Sequence, residues 1–165
     1  MHVFKSALMA IAALGFSASA LAAEPLYVVK SVELNQPADA VWAKVSNFGD
    51  LGAWHPAVAK TEIVAGQNNR PGAKRVLTLQ DGGKINETLI GVNAREKTYA
   101  YRITDGVLPV SEYVSTVSVH SNGGGKSVVV WESHFLPKPG SDEKAASDTI
   151  KSVYDAGLNN LKKAE

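Results

Sequence analysis

The chain has 165 residues, with 17 Lys and Arg against 16 Asp and Glu, and no cysteine. That length allows one domain, and a net charge of +1 leaves no electrostatic footprint for nucleic acid or an anionic membrane. Without cysteine there are no disulfides, thiol nucleophiles or thiolate metal sites, so the core must hold the fold by itself, which about 140 residues can do.

The chain begins with Lys5, an apolar run from Ala7 to Phe16, and an A-x-A-like Ala20-Leu21-Ala22. This is the pattern of a secretory signal peptide, cut after Ala22 or Ala23. A retained N-terminal anchor is the alternative, and the shortness of the apolar run counts against it. The expected division is a signal peptide over residues 1–23 and one folded domain over 24–165. Losing Lys5 with the leader leaves the charges balanced at sixteen each. No later segment is apolar enough to span a bilayer.

Leu26 to Leu34 alternates and is rich in β-branched residues, which predicts a strand. Asn35 and Pro37 break it. Pro37 suits the first turn of a helix, with Asn35 or Gln36 near its cap. That helix runs to Phe48 and buries Val41, Trp42, Val45 and Phe48. Residues 49–52 end it, and Ala53-Trp54-His55-Pro56 forms a short helical turn. Strands then dominate: Ala57 to Val64, Ala73 to Gln80, Lys84 to Val92, Thr98 to Thr104, Val110 to Ser121 and Ser127 to Leu136. Asp81-Gly82-Gly83 and Asn122-Gly123-Gly124-Gly125 are hairpin signals. The last helix, Ser141 to Glu165, places Ala145, Ala146, Ile150, Val153, Tyr154, Gly157, Leu158 and Leu161 on one stripe. Ser141, Asp142 and Glu143 mark its start and Lys162 and Lys163 its end. Six consecutive strands favour an antiparallel meander. The expected fold is α+β of helix-grip type: a seven-stranded curved antiparallel sheet around a long C-terminal helix, with two short helices after the first strand.

Period-two alternation groups the strand residues by face. Arg75, Leu77 and Leu79 share one, as do Ile85, Glu87, Leu89 and Gly91. Tyr99, Tyr101 and Ile103 form a third set, and Tyr113, Ser115, Val117 and Val119 a fourth. In the last strand the set taken as inward is Val128, Val130, Glu132 and His134. These faces are mostly apolar with one or two polar atoms each, which suits a pocket better than a dry core.

Several pieces recur in order along the chain: Val41-Trp42 with Val45 to Phe48, Trp54-His55-Pro56, Pro71-Gly72 with Arg75, Asp81-Gly82-Gly83, Glu87, Tyr99 to Gly106, Leu108-Pro109 with Tyr113, Trp131, and Tyr154 with Gly157-Leu158 and Leu161. In these the chain resembles the START/Bet v 1-like (SRPBCC) superfamily, in its polyketide cyclase/dehydrase and lipid-transport branch. The resemblance implies a ligand-binding domain in which Arg75, Glu87, Tyr101, Tyr113 and Glu132 line a cavity, with Trp54 and His55 at its rim. Tyr99, His134 and Tyr154 complete the candidate ligand-binding set. Leader and size are also similar to those of the periplasmic accessory proteins of methanol oxidation in methylotrophic bacteria. That likeness implies a periplasmic location and methanol dehydrogenase or its cytochrome as partner.

Alternatives remain open at several of these positions. Glu87 and Glu132 either face the cavity or pair with Arg75 or a lysine on a solvated face; buried and unpaired, each would have a raised pKa. The tyrosines are either ligand contacts or ordinary packing. His55 either takes part in the site or only shapes its turn before Pro56. His120, beside a hairpin, is expected at the surface. No His, Asp and Glu spacing matches a metal site, so neither metal nor cofactor is expected. Parity places Trp131 opposite Glu132, on an outer face with Val129 and Phe135, which would be a partner surface; a bulge that reverses the phase would instead bury all three. The resemblance makes Asp81-Gly82-Gly83 and Gly106 to Pro109 movable mouth loops, where plain hairpins are the alternative.

Three functions compete. A non-enzymatic protein would hold a small apolar or amphipathic ligand between sheet and last helix. A polyketide cyclase/aromatase-like enzyme would use Arg75, Tyr113 or His55 to polarise or transfer protons. An interaction protein would use the Trp131 face. The absence of a nucleophile–base–orienter triad in the pattern, and of any cysteine, favours the first, with no catalytic residue assigned.

Overall fold

The computed structural model describes residues 24–165. The leader expected over 1–23 lies outside them. Strand β1 (Leu26–Leu34) is followed by α1 (Ala38–Val45) and a 3-10 helix (Phe48–Ala53). Then come β2 (Val58–Ala65), β3 (Lys74–Leu79), β4 (Lys84–Asn93), β5 (Thr98–Gly106), β6 (Val110–Ser121), β7 (Ser127–Pro137) and α2 (Glu143–Lys163). The strands form one antiparallel sheet in the order β1-β7-β6-β5-β4-β3-β2.

The first helix is shorter than its sequence pattern predicts. It stops at Val45, and the Phe48 end of the apolar run winds as the separate 3-10 helix. Pro37 sits at the cap itself rather than in the first turn, with extended backbone and no side-chain cap. Asn47 caps the 3-10 helix, its Oδ1 accepting from the Gly49 N–H at 3.2 Å. Asn69 holds the same turn by accepting from the Phe48 N–H at 2.8 Å. Asp142, not Ser141, caps α2: its Oδ1 accepts from the Ala145 N–H at 2.8 Å, which satisfies one of the four free donors of the first turn.

Bulges bend the sheet toward α2. The β4–β5 register slips between Asn86 and Glu87 and again between Leu89 and Gly91. The β6–β7 register slips between Ser111 and Val114, where Glu112 takes a positive φ of 50°. Each slip adds local twist, so a long sheet curls instead of lying flat. The stripe Ala146, Ile150, Tyr154, Gly157, Leu158 and Leu161 of α2 is buried in that curve. It meets Val28 and Leu34 of β1, Leu77 of β3, Leu89 of β4, Tyr99 and Tyr101 of β5, Val117 of β6 and Trp131 of β7 in one core.

Strand β7 corrects the sequence reading. Val129 (0% exposed), Trp131 (2%) and Phe135 (1%) are buried, so they are no partner surface. Glu132 and His134 lie on the outer face. No bulge is responsible, because β7 pairs with β1 residue for residue from Leu26↔Phe135 to Leu34↔Ser127. The strand carries valines on both faces, so alternation sorts its residues into two sets without saying which is inward. The bulk of Trp131 and Phe135 decides it: burying two large aromatic rings outweighs burying Val128 and Val130.

Candidate functional site

Where α2 arches over the middle of the sheet, the two do not quite close. A hollow of about 70 Å³ remains, walled by Leu77, Leu79, Ile85, Ile103, Leu108 and Ile150, with polar groups from His55, Glu87, Tyr101, Tyr113 and Trp131. Its wall includes Leu108, on the Gly106–Pro109 loop, and Val153, midway along α2, both only partly buried. The two hairpin loops are tied to each other beside Leu108, since the Val107 N–H donates to the Lys84 carbonyl at 3.0 Å.

The floor is an ion pair. Arg75 and Glu87, on the paired positions of β3 and β4, are 1% and 4% exposed. Arg75 Nε donates to Glu87 Oε2 at 2.6 Å. Its Nη2 lies 2.6 Å from the same oxygen but off the axis a hydrogen bond needs, and counts as ion-paired only. Nη1 donates to the Phe48 carbonyl at 2.6 Å, at the first residue of the 3-10 helix. The guanidinium carbon stands 4.0 Å from the Phe48 ring centre and 5.4 Å from that of Tyr101, so aromatic faces cover what carboxylate does not. Burial pushes the Glu87 carboxyl above its ordinary value while Arg75 pulls it down.

Behind the hollow runs a chain of hydroxyls whose proton directions can be worked out. Ser115 Oγ donates to the Glu132 carbonyl at 2.7 Å, so its one proton is spent. The 3.1 Å contact between Ser115 Oγ and Tyr154 Oη therefore takes its proton from Tyr154. The 2.5 Å contact between Tyr113 and Tyr154 then takes its proton from Tyr113, and the long 3.5 Å contact from Tyr101 to Tyr113 from Tyr101. Trp131 Nε1 donates to both Tyr101 Oη at 3.1 Å and Ser115 Oγ at 3.0 Å. Burial raises all three phenols, Tyr154 to about 12, so they stay protonated at physiological pH.

His55 is 2% exposed and uses both ring nitrogens. Nδ1 accepts from the Ala57 N–H at 3.3 Å. Nε2 must then carry the proton, and it donates to the Val153 carbonyl at 2.9 Å. Burial holds this imidazole below its ordinary 6.5, against the pull of the Val153 carbonyl. Trp131 stacks on Tyr154, rings 4.3 Å apart, and meets His55 edge-on at 5.9 Å and Trp54 at 5.3 Å. Gly157 makes room for this cluster: a Cβ there would lie 2.7 Å from His55 Cδ2, 3.0 Å from Trp54 Cζ3 and 3.1 Å from Trp131 Cζ3.

The structure thus gathers His55, Glu87, Tyr101 and Tyr113 around the hollow. Arg75, Tyr99, Tyr154 and Trp54 are buried but do not line it; Tyr99 packs between Trp42 and Tyr101. Trp54 faces a wider groove of about 410 Å³ between α1 and the end of α2. Glu132 is turned away and accepts from the exposed Tyr27 hydroxyl at 2.5 Å. Trp131, assigned outward, is a wall of the hollow. Ser115 and Gly157, which the sequence pattern places on inward faces without assigning them to the site, are both part of this cluster. The glycine was visible as a helix former's opposite in mid-helix, where it costs about 1 kcal/mol and so marks close packing. Among the described residues no three His, Asp or Glu come together as a metal site would require, and no helix is long and apolar enough to cross a membrane.

A curved antiparallel sheet gripping a C-terminal helix over a partly polar hollow defines a class, the Bet v 1-like helix-grip proteins. The chain belongs to the family described as polyketide cyclase/dehydrase and lipid transport, whose model matches residues 26–164. Solved structures agree. Protein XoxI from Bacillus cereus is 27% identical over 84% of this chain and 94% of its own, with a TM-score of 0.77. A protein from Thermobifida fusca is 26% identical over 82% and 90%, with a TM-score of 0.74. Ara h 8.0201, at 16% identity over 86% and 97% and a TM-score of 0.70, shares the fold. No curated protein matches the chain.

Proposed function

We propose that the protein is an exported, non-enzymatic binder of a small apolar or amphipathic molecule, held between α2 and the sheet. The observation that carries this is the hollow itself: apolar walls with a few convergent polar groups, placed where the helix fails to close on the sheet, is the usual make-up of a ligand site. At about 70 Å³ it is far below the ~300 Å³ at which drug-sized ligands are taken. The ligand is therefore a molecule of a few heavy atoms, or the tip of a longer one reaching in past Leu108 and Val153.

A cyclase-like reaction has less to draw on. His55 has both nitrogens engaged, Arg75 is spent on Glu87 and Phe48, and the phenols are held protonated. None of these is free to take a proton from a substrate, which leaves Glu87 as the one candidate base on the wall. The leader supports export to the periplasm, where N-terminal sequencing of the mature protein should start at Ala23 or Glu24. An accessory role beside methanol dehydrogenase or its cytochrome has the leader and chain size for support. It now needs a docking face other than Val129, Trp131 and Phe135. Pull-down of the purified dehydrogenase or cytochrome by the tagged protein tests it.

The binding reading is tested by denaturing the protein purified from periplasm and analysing the extract by gas chromatography–mass spectrometry. A stoichiometric small molecule is expected, and it should vanish in Ile103→Phe, which fills the hollow. An extract with no such molecule, or one unchanged by the variant, would overturn it.

A further inference from the structure

We propose that the hollow takes a small neutral molecule that donates a hydrogen bond, an alcohol in its simplest form, with its hydroxyl on Glu87 Oε1. The inference rests on the binding reading above and names the chemistry that reading leaves open.

It follows from counting protons on the wall. Every side-chain donor there is already used: His55 Nε2–H on the Val153 carbonyl, Trp131 Nε1–H on Tyr101 and Ser115, and the Tyr101 and Tyr113 hydroxyls along the chain to Tyr154. Arg75, the one cation nearby, does not line the hollow and is covered by Phe48 and Tyr101. A carboxylate or ketone ligand would find no side-chain donor to replace the water it gives up, and burying an unpaired acceptor is unfavourable.

The wall does hold a spare acceptor. Both close contacts from Arg75 fall on Glu87 Oε2; Oε1 is not among the fully enclosed side-chain atoms that lack a partner, and with no bond to it among the described residues it keeps some open surface. Glu87 is 4% exposed, and the hollow is one of the surfaces it lines. Because Arg75 already balances its charge, the pair needs no second cation. An ammonium ligand would have to shed its hydration shell for a site that is close to neutral, whereas an alcohol brings a donor without a charge. Such a ligand pairs a carboxylate oxygen that Arg75 leaves free. The size agrees: a dry cavity of ~150 Å³ holds benzene, and this one is about half as large.

Three probes of equal heavy-atom count separate the possibilities: 2-propanol, acetone and acetate, each titrated into the mature protein and followed by backbone amide shifts in two-dimensional NMR. The expected result is saturable shifts at Glu87, Tyr101, Ile103 and Val153 with 2-propanol, at least about tenfold weaker binding of acetone, and none of acetate, because only the alcohol pairs the buried carboxylate. In Ile103→Phe, which leaves the ion pair intact, the 2-propanol shifts should disappear. Acetone or acetate binding as well as 2-propanol would overturn this inference and leave the binding reading standing. Shifts that persist in Ile103→Phe would place the alcohol elsewhere and also overturn it. If none of the three moves these amides, both readings fall.

Discussion

His55 and Arg75 show how buried polar residues can be structural and still set the character of a cavity. The His55 ring is neutral because Nδ1 accepts a backbone proton, and burial lowers its pKa from 6.5. In the unfolded chain it titrates near 6.5, so the native state binds fewer protons between its own lower pKa and 6.5. Stability from this residue is therefore full above pH 6.5 and is lost as pH falls through the folded value. Glu87 is raised by burial and has the opposite sign, its stability being full below its ordinary 4.5 and lost as pH rises through the folded value. The two are separated by difference: in His55→Gln the loss of stability on acidification from neutral pH should shrink relative to wild type, as read from urea midpoints at a series of pH values. An unchanged slope would show that His55 is not the group responsible. Arg75 gives a second test. Arg75→Met leaves Glu87 buried without its cation and should cost about 3–5 kcal/mol. The double variant Arg75→Met/Glu87→Leu removes both charges and should recover most of that, short of the ~1–3 kcal/mol for the Phe48 carbonyl left unpaired.

At the scale of the element, α2 is held by the fit of one turn. Gly157 lets the helix approach Trp54, His55 and Trp131 more closely than any Cβ permits. Gly157→Ala gains up to about 1 kcal/mol of helix propensity, but overpacking a full core costs about 1–3 kcal/mol. A net loss of roughly 1 kcal/mol is expected in denaturant unfolding, with a changed near-UV signal from the Trp54–Trp131 pair; a gain in stability would mean the aromatic cluster yields easily. The same turn marks what could be read beforehand. Strands β1 and β6 are legible to the residue, because breakers flank a regular alternation. The inward faces of β3 to β6 are legible because each has one clearly apolar side. Strand β7 is not, because Val128 and Val130 make its outer face as apolar in sequence as its inner one. The Arg75–Glu87 pair is legible as a possibility, since both were placed inward on neighbouring strands. Its closure by the Phe48 carbonyl is not, because that depends on where a 3-10 helix happens to start.

At the scale of the molecule, the hollow is what remains after a curved sheet and a straight helix have packed as closely as their side chains allow. Sequence patterns give the faces that meet but not the gap between them, because about 70 Å³ is the residue of many rotamer choices. Ile150 is fully buried on the helix stripe and part of the wall of that gap. Ile150→Ala should therefore do two things. It should destabilise the protein by about 2–5 kcal/mol, toward the upper end because the new space joins one that already exists and cannot collapse. It should also enlarge the hollow toward the ~150 Å³ that accommodates benzene. Benzene-saturated buffer should then raise the melting temperature of Ile150→Ala, since a ligand bound only by the native state stabilises it by mass action, while wild type should not respond. A wild-type response equal to the variant's would mean the hollow already opens on demand. No response in a variant that still folds would mean that α2 settles onto the sheet when Ile150 is cut back, and that the gap is not a fixed feature of the grip.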